Sequence, residues 1–203
     1  MEQKMKKDFL EVLKKRRTVY GISKENVITD DGIQEIIADA MKFTPSAFNS
    51  QSSRAILLLG NEHDKFWDIT MEALRKVVPE EAFASTEEKI NAFKAGYGTV
   101  LFFEDQTVIE GLQEQFALYK DNFPVWSLQS SGMLQLVVWT ALEEEGFGAS
   151  LQHYSELISK EVKDQWNIPK SWKLNAQMPF GKPVVVPDAK QFNMSMEHFR
   201  VYQ

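Results

Sequence analysis

The chain has 203 residues, of which 43% are hydrophobic and 26% are charged, and this composition is typical of a globular protein and unlike that of a disordered chain. The absence of cysteine excludes disulfides, thiol nucleophiles and thiolate metal sites. The net charge of −6 argues against nucleic acid as a partner, because contacts between basic residues and phosphates provide most of that affinity.

The sequence offers no pattern typical of secretion or of membrane insertion. A signal peptide places an apolar stretch after its basic residues, but here Asp8 follows Lys6 and Lys7 directly. The most apolar run, Leu134 to Leu142, has nine residues, whereas a membrane-spanning helix needs about 20. We therefore expect a cytoplasmic protein without a membrane partner. Since no repeat or linker interrupts the sequence, a single domain over residues 1–203 is expected.

Apolar periodicity predicts helices around two central strands in the first half of the chain. Met5, Phe9, Val12 and Leu13 stand at helical spacing and mark an opening helix that ends near residues 16–18. The next predicted elements are a helix at 31–43, a polar loop at 45–53, a buried strand at 55–59, a helix at 66–77, a helix at 85–93 that begins with a capping box of Ser85 and Glu88, and a strand at 98–103. Glu104 and Asp105 end this strand, and a solvated strand end is favoured over a functional carboxylate pair, because adjacent strand residues point to opposite faces.

The second half is predicted to contain the longest and most buried helix. Its predicted elements are a helix at 107–120 that Pro124 breaks, the long helix at 127–145 that stops at Gly146, a short strand at 149–152, a helix around 158–166, and strands at 172–178, 184–186 and 199–202. Strands and helices do not alternate one for one, so we expect an α+β fold.

Several catalytic motifs are missing from the sequence. It has no phosphate-binding P-loop, no nucleophile elbow and no close pair of histidines that would indicate a metal site. The pattern Gly96-Tyr97-Gly98 precedes a strand, whereas a dinucleotide fingerprint follows one. If this chain catalyses a reaction, we therefore expect an organic cofactor to supply the reactive group. A flavin mononucleotide needs arginine and hydroxyl donors for its phosphate and amide side chains for its ring edge.

Two segments supply such groups. Arg16, Arg17 and Thr18 place two guanidinium groups and a hydroxyl at the end of the first helix. Two arginines that only stabilise a solvated helix end, without binding a ligand, would give the same sequence pattern. The loop from Pro45 to Gln51 contains alternating hydroxyl and amide side chains, although an ordinary surface loop would also be polar.

In this order and spacing, the two segments resemble the flavin-dependent nitroreductase family, which has an Arg-Arg-Ser/Thr triplet and then a P-S-x-x-N-x-Q loop. Later segments resemble its fatty-acid-repression-mutant-type branch, and the resemblance covers nearly the whole chain. These segments lie at residues 96–105, 123–126, 146–154 and 177–181.

The resemblance implies an α+β fold in which helices wrap a mixed β-sheet, assembled as an intertwined homodimer with FMN at the interface. The long helix would form much of this interface, and C-terminal segments would reach onto the partner. It also implies an NAD(P)H-dependent oxidoreductase that reduces nitroaromatics or quinones by a ping-pong hydride transfer. A flavin-binding regulatory protein of a fatty-acid or stress response, with little turnover, is the alternative.

The resemblance further implies a set of cofactor-binding residues and no catalytic or metal-binding one. Arg16, Arg17 and Thr18, with Lys190, would hold the phosphate. The second subunit would contribute Ser46, Asn49 and Gln51, and flavin N5 and O4 would lie near Gln152 and His153. The group at flavin N1 and C2=O stays open among Lys89, Asn91 and Lys94. For His153 a structural role is favoured over that of a proton donor. For the aromatic residues Phe48, Phe123, Trp126 and Phe180 a place in the core is favoured, but one or two of them are expected to line the pocket over the flavin.

Overall fold

The computed structural model describes residues 9–193 and 198–203, so Met5 of the predicted first helix lies outside the described residues. The predicted α+β class is confirmed. The helices are α1 (Phe9–Lys15), α2 (Asp30–Phe43), α3 (Gly60–Arg75), α4 (Phe83–Lys94), α5 (Gln106–Gln115), α6 (Phe123–Glu145) and α7 (Ser155–Gln165). The strands are β1 (Ile22–Ser23), β2 (Ser53–Leu59), β3 (Gly98–Asp105), β4 (Gly148–Ala149) and β5 (Trp172–Pro183).

The strands form one sheet in the order β1-β5-β3-β2, and β4 adds to β5. The four strand pairs in the described part of the chain are antiparallel. Among the described residues, the parallel pairing expected of a mixed sheet is found in an isolated bridge between Thr18 and Ala149. That bridge fixes the end of the Arg-Arg-Thr triplet against β4.

Strand β3 separates two hydrophobic cores, and all of its residues are buried. Because strand side chains alternate between faces, Leu101 and Phe103 join the core made with α3, α4 and α7. Val100 and Phe102 join the core made with α2 and α6. Covering both faces of one strand in this way explains its continuous apolar sequence.

Several predicted helix boundaries are wrong for identifiable reasons. The long helix begins at Phe123 rather than at residue 127, since Pro124 lies in its first turn, where a missing N–H costs nothing. No capping box forms, because Ser85 lies inside α4 and donates to the carbonyl of Ala82. Helix α2 begins at Asp30 rather than at residue 31, and the side chain of Thr29 caps it. The helix predicted at 107–120 ends at Gln115, and a separate 3₁₀ turn follows.

Predicted strands at the chain's end are also wrong. Residues 184–186 and 199–202 are not in strands, whereas β1 pairs with the end of β5 and was not predicted. The strand predicted at 149–152 is shorter and starts at Gly148, and Gln152 forms only a bridge. Strand β2 is confirmed but, with the exception of Leu58, is only half-buried.

Helix α6 keeps an apolar face exposed. Val125, Leu128, Met133, Leu136 and Val137 are all between 39% and 54% exposed, and apolar residues are spread around the helix rather than confined to one side. Such a helix is typically buried all round, and a contiguous exposed apolar face typically marks an interaction surface.

None of the helices in the described part of the chain has the length and apolarity to cross a bilayer.

Candidate functional site

The Arg-Arg-Thr triplet follows α1 directly and lies beside β4. The amide of Arg16 donates to the carbonyl of Val12 at 2.9 Å, which closes the helix. Thr18 then pairs with Ala149, whose carbonyl accepts from the amide of Val19 at 2.9 Å. The structure therefore brings the triplet close to the segment that leads to Gln152.

Arg16 carries an unsatisfied donor. Its guanidinium carbon lies 4.3 Å from the centre of the Trp139 ring, and its Nε is buried without a hydrogen-bond partner among the described residues. Burial lowers the pKa of Arg16, Arg17 lowers it further, and Glu143 opposes both. Because a buried donor without a partner is costly, an anion placed here would be bound favourably.

The polar loop between α2 and β2 has an unusual backbone. Phe48, Asn49 and Gln51 have φ angles of 56°, 50° and 47°, a left-handed conformation that costs about 1–3 kcal/mol at each residue other than glycine. The hydroxyl oxygen of Ser46 accepts from the amide of Gln51 at 3.0 Å and so bridges the ends of the loop. Backbone strain of this kind is typical of ligand-binding sites.

A cavity of about 220 Å³ opens beside this loop. Ser46, Gln51 and Arg54 line it together with Ser130 of α6. It also contains Thr44, whose hydroxyl is buried without a partner among the described residues. The lining includes neither the Arg-Arg-Thr triplet nor Gln152, so the two halves of the predicted site do not meet at this cavity of one chain.

Gln152 is held by a residue that the sequence analysis missed. The backbones of Gln152 and Gln177 exchange two hydrogen bonds, at 2.7 and 2.9 Å, and the Gln152 side chain donates to the hydroxyl of Ser150. The side-chain oxygen of Gln177 accepts from the amide of Tyr154 at 2.8 Å. Gln177 is fully buried, and a glutamine between the apolar residues Ala176 and Met178 of β5 was the signal that could have identified it.

The other predicted polar residues lie in different places. His153 is exposed and lines a surface cavity with Lys173 and Asn175. Lys190 is exposed, and its Nζ lies 5.4 Å from the centre of the Phe192 ring.

The three candidates on α4 differ in their surroundings. Lys94 forms an ion pair with Asp68 at 2.5 Å, and Asn91 is exposed. Lys89 lines a cavity with Tyr20, which is two residues beyond Thr18. Lys89 is therefore the candidate that shares a cavity with a residue close in sequence to the triplet.

The prediction of a solvated strand end at Glu104 and Asp105 is wrong. The two residues are 1% and 8% exposed. Burial raises the pKa of Glu104, and hydrogen bonds from Ser52 and Ser53 oppose this rise. Burial also acts to raise the pKa of Asp105, but hydrogen bonds from Thr107 and Ser171 and the charge of Arg54 lower it overall.

The aromatic residues fall into two groups. Phe180 is fully buried and Phe123 is 3% exposed, which confirms that both are core residues. Phe48 is 49% exposed and stacks on Trp126 with ring centres 5.8 Å apart. Phe48 and Trp126 thus form an aromatic surface next to the strained loop.

Comparison with known proteins identifies the family. The sequence profile of the nitroreductase family matches residues 13–182. HBN1 of Saccharomyces cerevisiae is 36% identical over 186 residues, which cover 91% of this chain and 92% of that protein. The nitroreductase FRM2 of the same yeast is 31% identical over 187 residues, which cover 91% of this chain and 93% of that protein.

Solved structures agree. The nitroreductase CinD from Lactococcus lactis, in complex with chloramphenicol, is 45% identical with a TM-score of 0.89, covering 97% of this chain and 100% of that one. A nitroreductase with bound FMN from Desulfitobacterium hafniense shares the fold, with a TM-score of 0.70 at 15% identity, over 98% of this chain and 99% of that one. The chain belongs to the nitroreductase family and is therefore an oxidoreductase. HBN1 and FRM2 confirm the fatty-acid-repression-mutant-type branch.

Proposed function

We propose that this chain is an FMN-dependent oxidoreductase that takes a hydride from NAD(P)H and delivers it, in a ping-pong cycle, to a nitroaromatic compound or a quinone. The single observation that carries the proposal is the buried Nε of Arg16, which lacks a partner among the described residues, at the start of an Arg-Arg-Thr triplet. Family membership and an FMN-bound relative of the same fold support the cofactor. Structures of CinD in complex with chloramphenicol and with 4-nitrophenol support the substrate class, since both compounds carry a nitroaromatic ring.

The donor set fits a flavin phosphate. Arg16 and Arg17 supply two guanidinium groups, and Thr18 adds a hydroxyl that is exposed beside β4. Guanidinium groups bind phosphate oxygens in pairs, and charge-assisted hydrogen bonds are about twice as strong as neutral ones. Lys190 is proposed as a further phosphate ligand once the C-terminal segment is placed against a partner subunit.

The remaining donors are proposed to come from a second copy of the chain. Ser46, Asn49 and Gln51 lie on the strained loop, and they do not meet the triplet at the cavity of one chain. The exposed apolar face of α6 supplies a surface for association. A homodimer that packs α6 against α6 would bury this face and would bring the loop of one copy to the triplet of the other.

The ring of the flavin would supply the redox chemistry, accepting the hydride at N5, and the chain would position it. We propose Lys89 as the positive group at N1 and C2=O because its cavity includes Tyr20, close to the triplet. The segment Gln152–His153 would lie along the N5 edge, held in place by Gln177. Apart from these contacts, Phe48 and Trp126 offer an apolar wall for an aromatic acceptor.

The test is the visible spectrum of the purified protein, followed by anaerobic addition of NADH or NADPH and then of a nitroaromatic compound or a quinone. We expect a yellow protein whose flavin absorbance is bleached by the nicotinamide and restored by the acceptor. A bound flavin that neither nicotinamide bleaches would instead favour the regulatory protein with little turnover. A colourless protein that does not take up added FMN would refute both.

A further inference from the structure

A buried carboxylate lies where the strained loop joins strand β2. Glu104 is 1% exposed at the end of β3, opposite Ser53 in the register of β2. The hydroxyls of Ser52 and Ser53 donate to its two oxygens, at 2.5 Å each. Ser52 itself is fully buried. Two consecutive residues thus turn their side chains onto one carboxylate at the point where the loop enters the strand.

The neighbouring ion pair of Arg54 and Asp105 binds the same segment through its backbone atoms. Arg54 donates through Nη1 to the carbonyl of Gln51 at 2.7 Å and through Nη2 to Asp105 at 3.1 Å. The amide of Asp105 donates to the carbonyl of Ser52 at 2.9 Å. The end of the loop at residues 51–54 is therefore fixed to the end of β3 by side chains and by backbone.

Such fixing matters because of the loop that precedes it. Phe48, Asn49 and Gln51 have left-handed backbones, which residues other than glycine keep only where the surroundings determine the conformation. Within the loop, the hydroxyl of Ser46 accepts from Gln51, and the carbonyl of Ser46 accepts from Asn49 at 3.0 Å. The contacts at residues 51–54 supply the remaining anchor.

We propose that Glu104 is a positioning residue for the flavin, which holds Ser52 and Ser53 so that Asn49 and Gln51 keep the backbone conformation in which they meet the cofactor. This inference rests on the proposed function. Glu104 itself would not touch the flavin, because it is 1% exposed and lies behind the two serines that donate to it. Only a carboxylate presents two acceptor oxygens to two donors, whereas a glutamine presents one acceptor and one donor.

The experiment measures FMN affinity and the visible spectrum of the bound flavin in the full-length holoprotein. Glu104→Gln replaces one acceptor oxygen with an NH2 donor, so one serine hydroxyl must accept a hydrogen bond instead of donating one. We expect the dissociation constant for FMN to rise about tenfold or more and the flavin absorption bands to shift. Ser52→Ala and Ser53→Ala each remove one of the two hydrogen bonds and should show smaller changes in the same direction. If Glu104→Gln does not fold, the FMN affinities and flavin spectra of these two variants test the positioning role instead.

The matched control is His63→Gln. His63 is also fully buried and also bonds to β3, through Thr99, but its partners belong to α4 and β3 rather than to the loop. This variant should lower stability and leave FMN affinity and the flavin spectrum unchanged. If it weakens FMN as much as Glu104→Gln does, general destabilisation explains the effect and the positioning role is refuted.

The outcomes separate the two proposals. If the wild-type chain binds FMN and Glu104→Gln binds it equally tightly with the same spectrum, the positioning role is wrong and the proposed function stands. If the wild-type chain does not bind FMN, the proposed function fails and the positioning role fails with it.

Discussion

The buried histidine predicts a specific loss of stability at acid pH. The carbonyl of Lys94 can only accept, so Nε2 of His63 carries the proton that it donates there at 3.2 Å. Nδ1 then accepts from the hydroxyl of Thr99 at 2.8 Å, and that hydroxyl oxygen accepts from Trp67 at 3.0 Å. All the polar atoms of this cluster are satisfied only while His63 is neutral. Burial accordingly lowers the pKa of His63 to about 4.

The size and the sign of the effect follow from proton linkage. Above about pH 6.5, His63 is neutral in both the folded and the unfolded chain, and its packing contributes fully to stability. As the pH falls from about 6.5 to about 4, the unfolded chain binds a proton that the folded chain does not, so the free energy of unfolding decreases. The difference between the usual pKa of 6.5 and a pKa of about 4 corresponds to about 3 kcal/mol.

The assay is urea unfolding of the wild type and of His63→Gln, which does not titrate in this range, at about pH 7 and about pH 4.5. Other groups titrate too, and the raised pKa of Glu104 acts in the opposite direction, so the difference between the two proteins is the quantity to follow. We expect the advantage of the wild type to shrink by about 2–3 kcal/mol on acidification. Parallel pH profiles of the two proteins would refute this account of His63.

Three further predictions follow from the site, the α6 surface and the sheet. Arg16→Ala should weaken FMN binding by about tenfold to a hundredfold, as expected for a charge-assisted hydrogen bond, with little change in apoprotein stability; equal FMN retention in a dialysis assay would contradict the phosphate role. Leu136→Lys, on the exposed face of α6, should give a monomer by light scattering and lose FMN, whereas Val77→Lys, also exposed but outside that face, should do neither. Gly181→Ala would place a methyl 2.5 Å from the carbonyl oxygen of Ser23 and 3.0 Å from the amide of Tyr97; because backbone atoms cannot easily move aside, thermal unfolding should reveal a loss of about 1–3 kcal/mol.

Periodicity predicted the elements that bury one face or both. Helix α2 and strand β3 were predicted closely because their apolar residues follow a 3.6-residue or a continuous pattern. The errors lie where a local signal has two meanings. Pro124 indicated a break but occupies the first turn of α6, and Ser85 resembled a cap but lies inside α4.

The candidate site was predicted only in its local segments. The Arg16 triplet and the loop from Ser46 to Gln51 are short runs that the sequence displays directly. The buried partners Glu104 and Gln177 were not recognised as part of it, because their roles depend on contacts with Ser52 and Gln152 that are distant in sequence. Glu104 in particular was predicted to be solvated, since burial of a carboxylate is expected only where the donors that hydrogen-bond to it are known.

The two-sided burial of β3 has a consequence for how the chain can vary. Leu101 and Phe103 pack in one core, and Val100 and Phe102 pack in the other. Odd and even positions of this single strand therefore pack against separate sets of helices. Compensating substitutions can therefore accumulate on one side without disturbing the other. A single-residue insertion or deletion within the strand, by contrast, would exchange the two sets of side chains at once, and homologues should tolerate length changes in the connections around this strand but not inside it.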